Sequence, residues 1–265
     1  MFTIIDLIQP QTLEEAYNEL TSRRNNTVLG GCAFLKMGSK KIRTAIELSK
    51  LDLNYINETT DYIEIGASTT LRDIEINPLL KKCFNSVLTS AVENIIGIQF
   101  RNVVNIGATV FSKHGFSDII TALLALDTEV ELYKAGRMAL DEFLKIPFKK
   151  DILTRIFIKK NAGMAIYKSF RNSSTDFPIL NVTVSKLDND WKIVVGARPN
   201  TAEIAIKASN LLSKQELNES LIEKVAQMVT EELSFGSNMR GSAEYRQAIC
   251  KVLVKRAIME VEACK

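Results

Sequence analysis

The 265 residues carry 34 Lys+Arg against 31 Asp+Glu, with 46% hydrophobic and 25% charged side chains, a globular balance that excludes wholesale disorder. The net charge of +3 is spread along the chain, which leaves nucleic-acid binding without an electrostatic basis. No apolar run approaches the ~20 residues that cross a bilayer, and the start Met1-Phe2-Thr3-Ile4-Ile5-Asp6 has no basic segment, so a soluble, cytoplasmic chain is expected.

The length suits one large domain or two modest ones. Thr12-Leu13-Glu14-Glu15 has capping-box spacing and opens a helix with Leu13, Ala16, Tyr17 and Leu20 on one face. Val28-Leu29, Thr44 to Leu48 and Tyr62 to Ile65 read as short strands. With the intervening helix they suggest a small βαβ unit. Thr70 to Gln99 is mainly helical with a break at Asn77-Pro78, and Asn105 to Thr109 reads as a glycine-containing turn. Helix from Ile119 to Leu126 follows, then strands at Glu129 to Tyr133 and Ile152 to Ile158.

The last hundred residues differ. Ala165 to Phe170, Ile179 to Leu187 and Trp191 to Val195 predict an antiparallel three-stranded meander. Helices are expected at Thr201 to Leu212, Glu219 to Leu233 and Ala243 to Glu262, the last with Tyr245, Ala248, Ile249, Val252, Leu253 and Ala257 on one face. This change of pattern places a domain boundary near residue 162, dividing 1–162 from 163–265.

Cys32, Cys83, Cys250 and Cys264 are scattered without a CxxC pair, which argues against a disulfide framework or an iron–sulfur cluster on this chain. The single histidine, His114, excludes any site needing two imidazoles. Redox chemistry here would have to reside in an organic cofactor or a partner, and no metal site is expected.

Gly30-Gly31 after a short strand is either an ordinary strand-ending turn or a nest whose bare amides approach an anion. Its spacing is neither Walker A nor GxGxxG. Asp118, with Ser117, either caps a helix or offers a carboxylate to ribose hydroxyls. His114 reads as a surface loop residue or an acid–base group, Lys168 as a solvated strand lysine or a phosphate or ring contact, and Cys32 as a small packing residue. Arg240-Gly241-Ser242-Ala243-Glu244 reads as a structural turn with Ser242 capping the last helix.

The order of these segments is more specific than any one of them. Leu29-Gly30-Gly31-Cys32-Ala33-Phe34-Leu35, Ile65-Gly66-Ala67-Ser68-Thr69-Thr70-Leu71 and Gln99 through Thr109 occur in succession. Ser117-Asp118 with Leu123-Leu124-Ala125-Leu126-Asp127, and finally Arg240 through Arg246, complete the series. Together they resemble the FAD-binding middle subunits of molybdenum hydroxylases, such as xanthine dehydrogenases and aerobic carbon monoxide dehydrogenase.

The resemblance implies an α+β fold: a two-part FAD-binding domain of the vanillyl-alcohol-oxidase/PCMH-like type, then a smaller domain of a three-stranded antiparallel sheet with helices. It implies an FAD-dependent oxidoreductase subunit with no catalytic side chain of its own. Electrons would come from a [2Fe–2S] small subunit beside a molybdopterin-binding large subunit in a hetero-oligomer, and pass to NAD+ or another acceptor. The positions it assigns to FAD are Thr27, Val28, Leu29, Gly30, Gly31, Cys32, Ala33, Phe34, Asn105, Ile106, Gly107, Ala108, Thr109, Asp118, Leu153 and Lys168. Ala108 replaces a family glycine, and Cys32-Ala33 stands where polar side chains are common. These departures raise the alternative of a cofactor-free assembly subunit of the same complex.

Overall fold

A computed structural model describes residues 2–263; Met1 and Cys264, both named above, lie outside the described residues. The chain begins β1 (Thr3–Ile8), α1 (Leu13–Ser22), β2 (Thr27–Val28), α2 (Ala33–Met37), β3 (Lys41–Ile46), β4 (Ile56–Glu58) and β5 (Tyr62–Gly66). Helices follow: α3 (Leu71–Ile76), α4 (Pro78–Lys82), α5 (Val87–Val92), α6 (Ile98–Arg101), α7 (Ile106–Phe111) and α8 (Asp118–Ala125). Next come β6 (Thr128–Leu132), β7 (Gly136–Ala139), α9 (Leu140–Lys145), β8 (Leu153–Lys159), β9 (Gly163–Phe170), β10 (Leu180–Leu187) and β11 (Asp190–Gly196). The chain ends with β12 (Glu203–Ile204), α10 (Ile206–Lys214), α11 (Glu219–Glu232) and α12 (Ala243–Ala263).

These elements form a mixed α/β fold in two compact units, each discontinuous in sequence. The first holds the residues up to Asp73, Ile98–Ser112 and Glu129–Lys159; the second holds Ile74–Gly97, Lys113–Thr128 and the chain from Lys160 on.

In the first unit, β1, β3 and β2 make a parallel sheet in that order, with Thr3 opposite Lys41 and Thr27 opposite Ala45. Parallel neighbours require a crossover, and α2 supplies it between β2 and β3, so the expected βαβ unit is present. Its third expected strand is elsewhere: β5 pairs antiparallel with β4 and β8 in a five-stranded sheet of order β4-β5-β8-β6-β7. Helix α1 starts as its spacing predicts. The Thr12 hydroxyl accepts from the Glu15 amide at 3.1 Å, and the Glu15 carboxylate accepts from the Gln11 amide at 2.8 Å. Ala16 and Leu20 then bury against Ile46, Leu48, Leu53 and Ile152, with Leu13 and Tyr17 packed at the margin. Strand β1 was not anticipated; Ile4, Ile5 and Leu7 are exposed on it, so no burial pattern marks it.

The second unit is built on the antiparallel sheet β12-β11-β10-β9. The three expected strands are there, but the sheet has four: Glu203–Ile204 pairs with β11 inside the stretch read as helix from Thr201. Two residues are too short for any periodicity to show. β10 explains the layering. Leu180, Val182 and Val184 join the apolar core with residues of α10, α11 and α12. The alternate residues Asn181 and Ser185 bond α8 on the other face, through Thr121 and the Ala125 carbonyl. Both faces are covered, which is why α8 is buried along its whole length.

Helix α12 is rotated from the expected face. Its buried residues are Arg246, Cys250, Leu253, Val254, Ala257, Ile258 and Val261, while Tyr245 and Val252 are exposed. An arginine at a core position hid the true stripe.

Candidate functional site

The first glycine loop leaves β2 and turns into α2. The Leu29 amide still pairs with the Ile46 carbonyl at 2.8 Å, extending the parallel ladder by one bond. After it the backbone turns over: Gly31 has φ +80° and Cys32, at the N-cap of α2, has φ +58°. Among the described residues, no acceptor meets the amides of Gly30, Gly31 or Cys32. Three adjacent backbone donors without partners on a part-exposed loop form the concavity in which anions bind. Burial pushes the Cys32 thiol up, so it does not act as a thiolate there.

Asn105 to Thr109, expected as a turn, is the start of helix α7; Asn105 is its N-cap and Gly107 lies in its first turn. Every early amide is committed. Ile106 donates to the Thr69 carbonyl at 2.9 Å and Gly107 to the Ala67 carbonyl at 2.8 Å. Ala108 donates to Asn105 Oδ1 at 2.9 Å, and Thr109 to the Asn105 carbonyl at 3.2 Å. The second segment is therefore a wall rather than a second open nest. Gly107 is required because a Cβ there would lie 2.6 Å from the Ala67 carbonyl oxygen and its Cβ.

The two segments fit directly together. A Cβ on Gly30 would fall 2.1 Å from the Ala108 Cβ and 3.0 Å from Asn105 Oδ1, and one on Gly31 would fall 2.3 Å from the Val103 carbonyl oxygen. The Ala108 methyl thus fills the space beside the bare Gly30 backbone. Leu153, also in this unit, is buried at the start of β8. Phe34 is partly exposed on α2.

Asp118 lies in the second unit, as the first residue of α8, and is 5% exposed. The cap is Ser117, whose hydroxyl accepts from the Ile120 amide at 3.3 Å. Asp118 is instead the centre of a polar cluster. Its Oδ1 accepts from the Tyr167 hydroxyl and from Asn181 Nδ2 at 3.1 Å, and pairs with Arg171 Nη2 at 2.8 Å. Burial, and then the Asp118 charge, push the Tyr167 phenol well above its ordinary value, so it remains a neutral donor. Tyr167, Arg171 and Asn181 were not singled out in the sequence, because 49 to 63 residues separate Asp118 from the two that hydrogen-bond to it.

Lys168, part-exposed on β9, is ion-paired with Glu260 of α12. His114 is not a simple surface residue: it is half-buried, and its ring stacks on Phe116 with centroids 4.9 Å apart and an 11° tilt. Burial lowers its pKa. Ser242 caps α12 as expected, its hydroxyl accepting from the Tyr245 amide at 3.2 Å. Arg246 secures the turn beneath it, donating to the carbonyls of Ile179, Gly236 and Gly241 and to Asn238 Oδ1.

Residues 2–160 match the family model described as FAD binding domain in molybdopterin dehydrogenase, and residues 165–261 match CO dehydrogenase flavoprotein C-terminal domain. The glyceraldehyde dehydrogenase medium chain of Sulfolobus acidocaldarius is 27% identical, over 96% of this chain and 97% of its own. The nicotine 6-hydroxylase medium subunit of Paenarthrobacter nicotinovorans is 25% identical, over 96% of each. In fold, the chain is similar to a chain of carbon monoxide dehydrogenase from Hydrogenophaga pseudoflava, with a TM-score of 0.89 at 20% identity over 98% of both. Quinoline 2-oxidoreductase from Pseudomonas putida 86 gives 0.88 at 18% identity, over 98% of this chain and 96% of that one.

Proposed function

This chain belongs to the family of FAD-binding domains of molybdopterin dehydrogenases, and on that premise we propose that it is the electron-transfer subunit of a multi-subunit molybdenum hydroxylase. It would assemble with a molybdopterin-binding large subunit and a [2Fe–2S] small subunit in the cytoplasm. The relatives named as a medium chain and a medium subunit support that assembly. We assign the two-part vanillyl-alcohol-oxidase/PCMH-like FAD fold to residues 1–162 and the C-terminal flavoprotein domain to 163–265. The two family matches, which end at 160 and resume at 165, support this division.

FAD, when bound, would supply the redox chemistry between the iron–sulfur partner and NAD+ or another acceptor. The chain's own part is to hold and orient the cofactor. The amides of Gly30, Gly31 and Cys32 are the donors we assign to its phosphates, within the loop Thr27, Val28, Leu29, Ala33 and Phe34. Asn105, Ile106, Gly107, Ala108 and Thr109 back that loop. Asp118 would receive a hydroxyl of the cofactor, and Leu153 and Lys168 are assigned to the flavin. No proton transfer is required of a side chain here.

The observation that carries this reading is the first loop: three amides without acceptors, seated on a segment whose amides from Ile106 to Thr109 are spent. A cofactor-free assembly role loses one of its three motives, because the Ala108 methyl lies against Gly30. Co-expression with the large and small subunits tests the proposal. The three chains should co-purify, and reducing substrate should bleach the flavin's visible absorbance. A flavin that stays oxidised in an intact, substrate-reduced complex would refute the electron-transfer role.

A further inference from the structure

Three groups converge on one oxygen of a buried carboxylate. Tyr167 of β9 and Asn181 of β10 both donate to Asp118 Oδ1, and Arg171 pairs with the same oxygen. No hydrogen-bond donor among the described residues meets Oδ2, and it is not one of the sealed, unpartnered oxygens of the structure.

The partners are themselves fixed. Asn181 Oδ1 accepts from the Thr121 hydroxyl at 3.0 Å, which orients its Nδ2 toward Asp118. Arg171 Nη1 donates to the Asp176 carbonyl at 2.6 Å, and its Nε to Ser169 Oγ at 3.3 Å. The Arg171 and Asp118 side chains are 8% and 6% exposed. A carboxylate this buried is costly unless its lone pairs are satisfied. An arginine serving only as a strut would favour the two-oxygen fork. Here one oxygen is oversupplied and the other is kept for an outside donor.

We propose that Tyr167 and Arg171 are positioning residues: they hold the Asp118 carboxylate so that Oδ2 accepts a hydrogen bond from a sugar-type hydroxyl of FAD. The inference rests on the FAD reading above. Two parts of the cofactor carry such hydroxyls, the adenosine ribose and the ribityl chain.

The test is equilibrium titration of the full-length chain with FAD and, separately, with FMN, which lacks the adenosine ribose. The variants are Asp118→Ala, Tyr167→Phe, Arg171→Lys and the Asp118→Ala/Tyr167→Phe double, each also measured for thermal stability without flavin. Tyr167→Phe should weaken FAD binding about ten-fold, the scale of one hydrogen bond to a charged group. The double variant should bind no more weakly than Asp118→Ala alone, because Tyr167 acts only through that carboxylate. Arg171→Lys keeps the charge but not the bonds to Ser169 and the Asp176 carbonyl that aim it, and should also weaken FAD binding; it decides the matter if Tyr167→Phe does not fold. A loss confined to FAD identifies the ribose, and an equal loss with FMN identifies the ribityl chain; either supports the proposal. Unchanged FAD affinity in Tyr167→Phe and Arg171→Lys, or losses that add fully to Asp118→Ala, would overturn it. Failure of the unmodified chain to bind FAD would instead overturn the cofactor reading itself.

Discussion

There is room for one methyl group, not two, at the contact between Gly30 and Ala108. A second Cβ at position 30 would sit 2.1 Å from the first, far inside van der Waals contact. Gly30→Ala should therefore destabilise the chain by about 1–3 kcal/mol, the usual cost of overpacking. Moving the methyl across the contact, in the double variant Gly30→Ala/Ala108→Gly, should recover most of that loss. Urea unfolding checks both, and no recovery in the double variant would mean the contact is not what restricts position 30. Gly31 is stricter, because its positive φ adds backbone strain to a clash with the Val103 carbonyl. His114 makes a pH prediction. Burial lowers its folded pKa below the ordinary 6.5. As pH falls through the unfolded value, the unfolded chain takes up the proton first, so stability present above about pH 6.5 is lost toward the depressed folded value. His114→Phe, which keeps a ring on Phe116, should flatten that part of the stability–pH curve. An unchanged slope in that variant would acquit the histidine.

Helix α12 depends on one buried cation. Arg246 is 1% exposed and satisfies two main-chain carbonyls in the turn before the helix, Gly236 and Gly241, and that of Ile179 just before β10. Arg246→Leu should leave the Ile179 and Gly236 carbonyls without this donor, at about 1–3 kcal/mol for each that water cannot reach, while Gly241 keeps the Asn238 amide at 3.1 Å. The turn should then open to limited proteolysis near the fully exposed Met239. Equal protease resistance in the variant would show that the turn holds itself. The same residue shows where sequence reading stops at this scale. Apolar spacing located α12 but put Tyr245 and Val252 on the buried face, since an arginine satisfied by carbonyls does not register as core. α1, α8, α11 and the long strands β9 to β11 were legible because each has enough residues for its period to repeat. β12 was too short, α7 was disguised by the glycine in its first turn, and β1 exposes its apolar residues. Both glycine segments and Asp118 stand out in the sequence by spacing and resemblance, and their role in holding FAD is the proposal made above. The cluster holding Asp118 does not stand out, because its members meet only when β9 and β10 pair.

The whole molecule joins a modest net charge to a mixed α/β fold shared with chains of quinoline 2-oxidoreductase and carbon monoxide dehydrogenase. No helix among the described residues is long and apolar enough to cross a membrane. Its family membership rests on more than half of its length, and the family's defining ligand is FAD. The departures at Cys32, Ala33 and Ala108 are what make cofactor binding worth measuring directly. Two of them have local accounts: Ala108 fills the space beside Gly30, and Cys32 occupies the left-handed N-cap of α2 without using its side chain as a cap. Nothing in the structure explains Ala33. The measurement that bears most directly on the account is the visible spectrum of the purified chain, with chromatography of whatever denaturation releases and a titration with added FAD. The account predicts a yellow protein that releases FAD, or an apoprotein that takes up one FAD per chain and binds it more weakly as Gly31→Ala. A colourless, folded chain with no saturable uptake of FAD would contradict it.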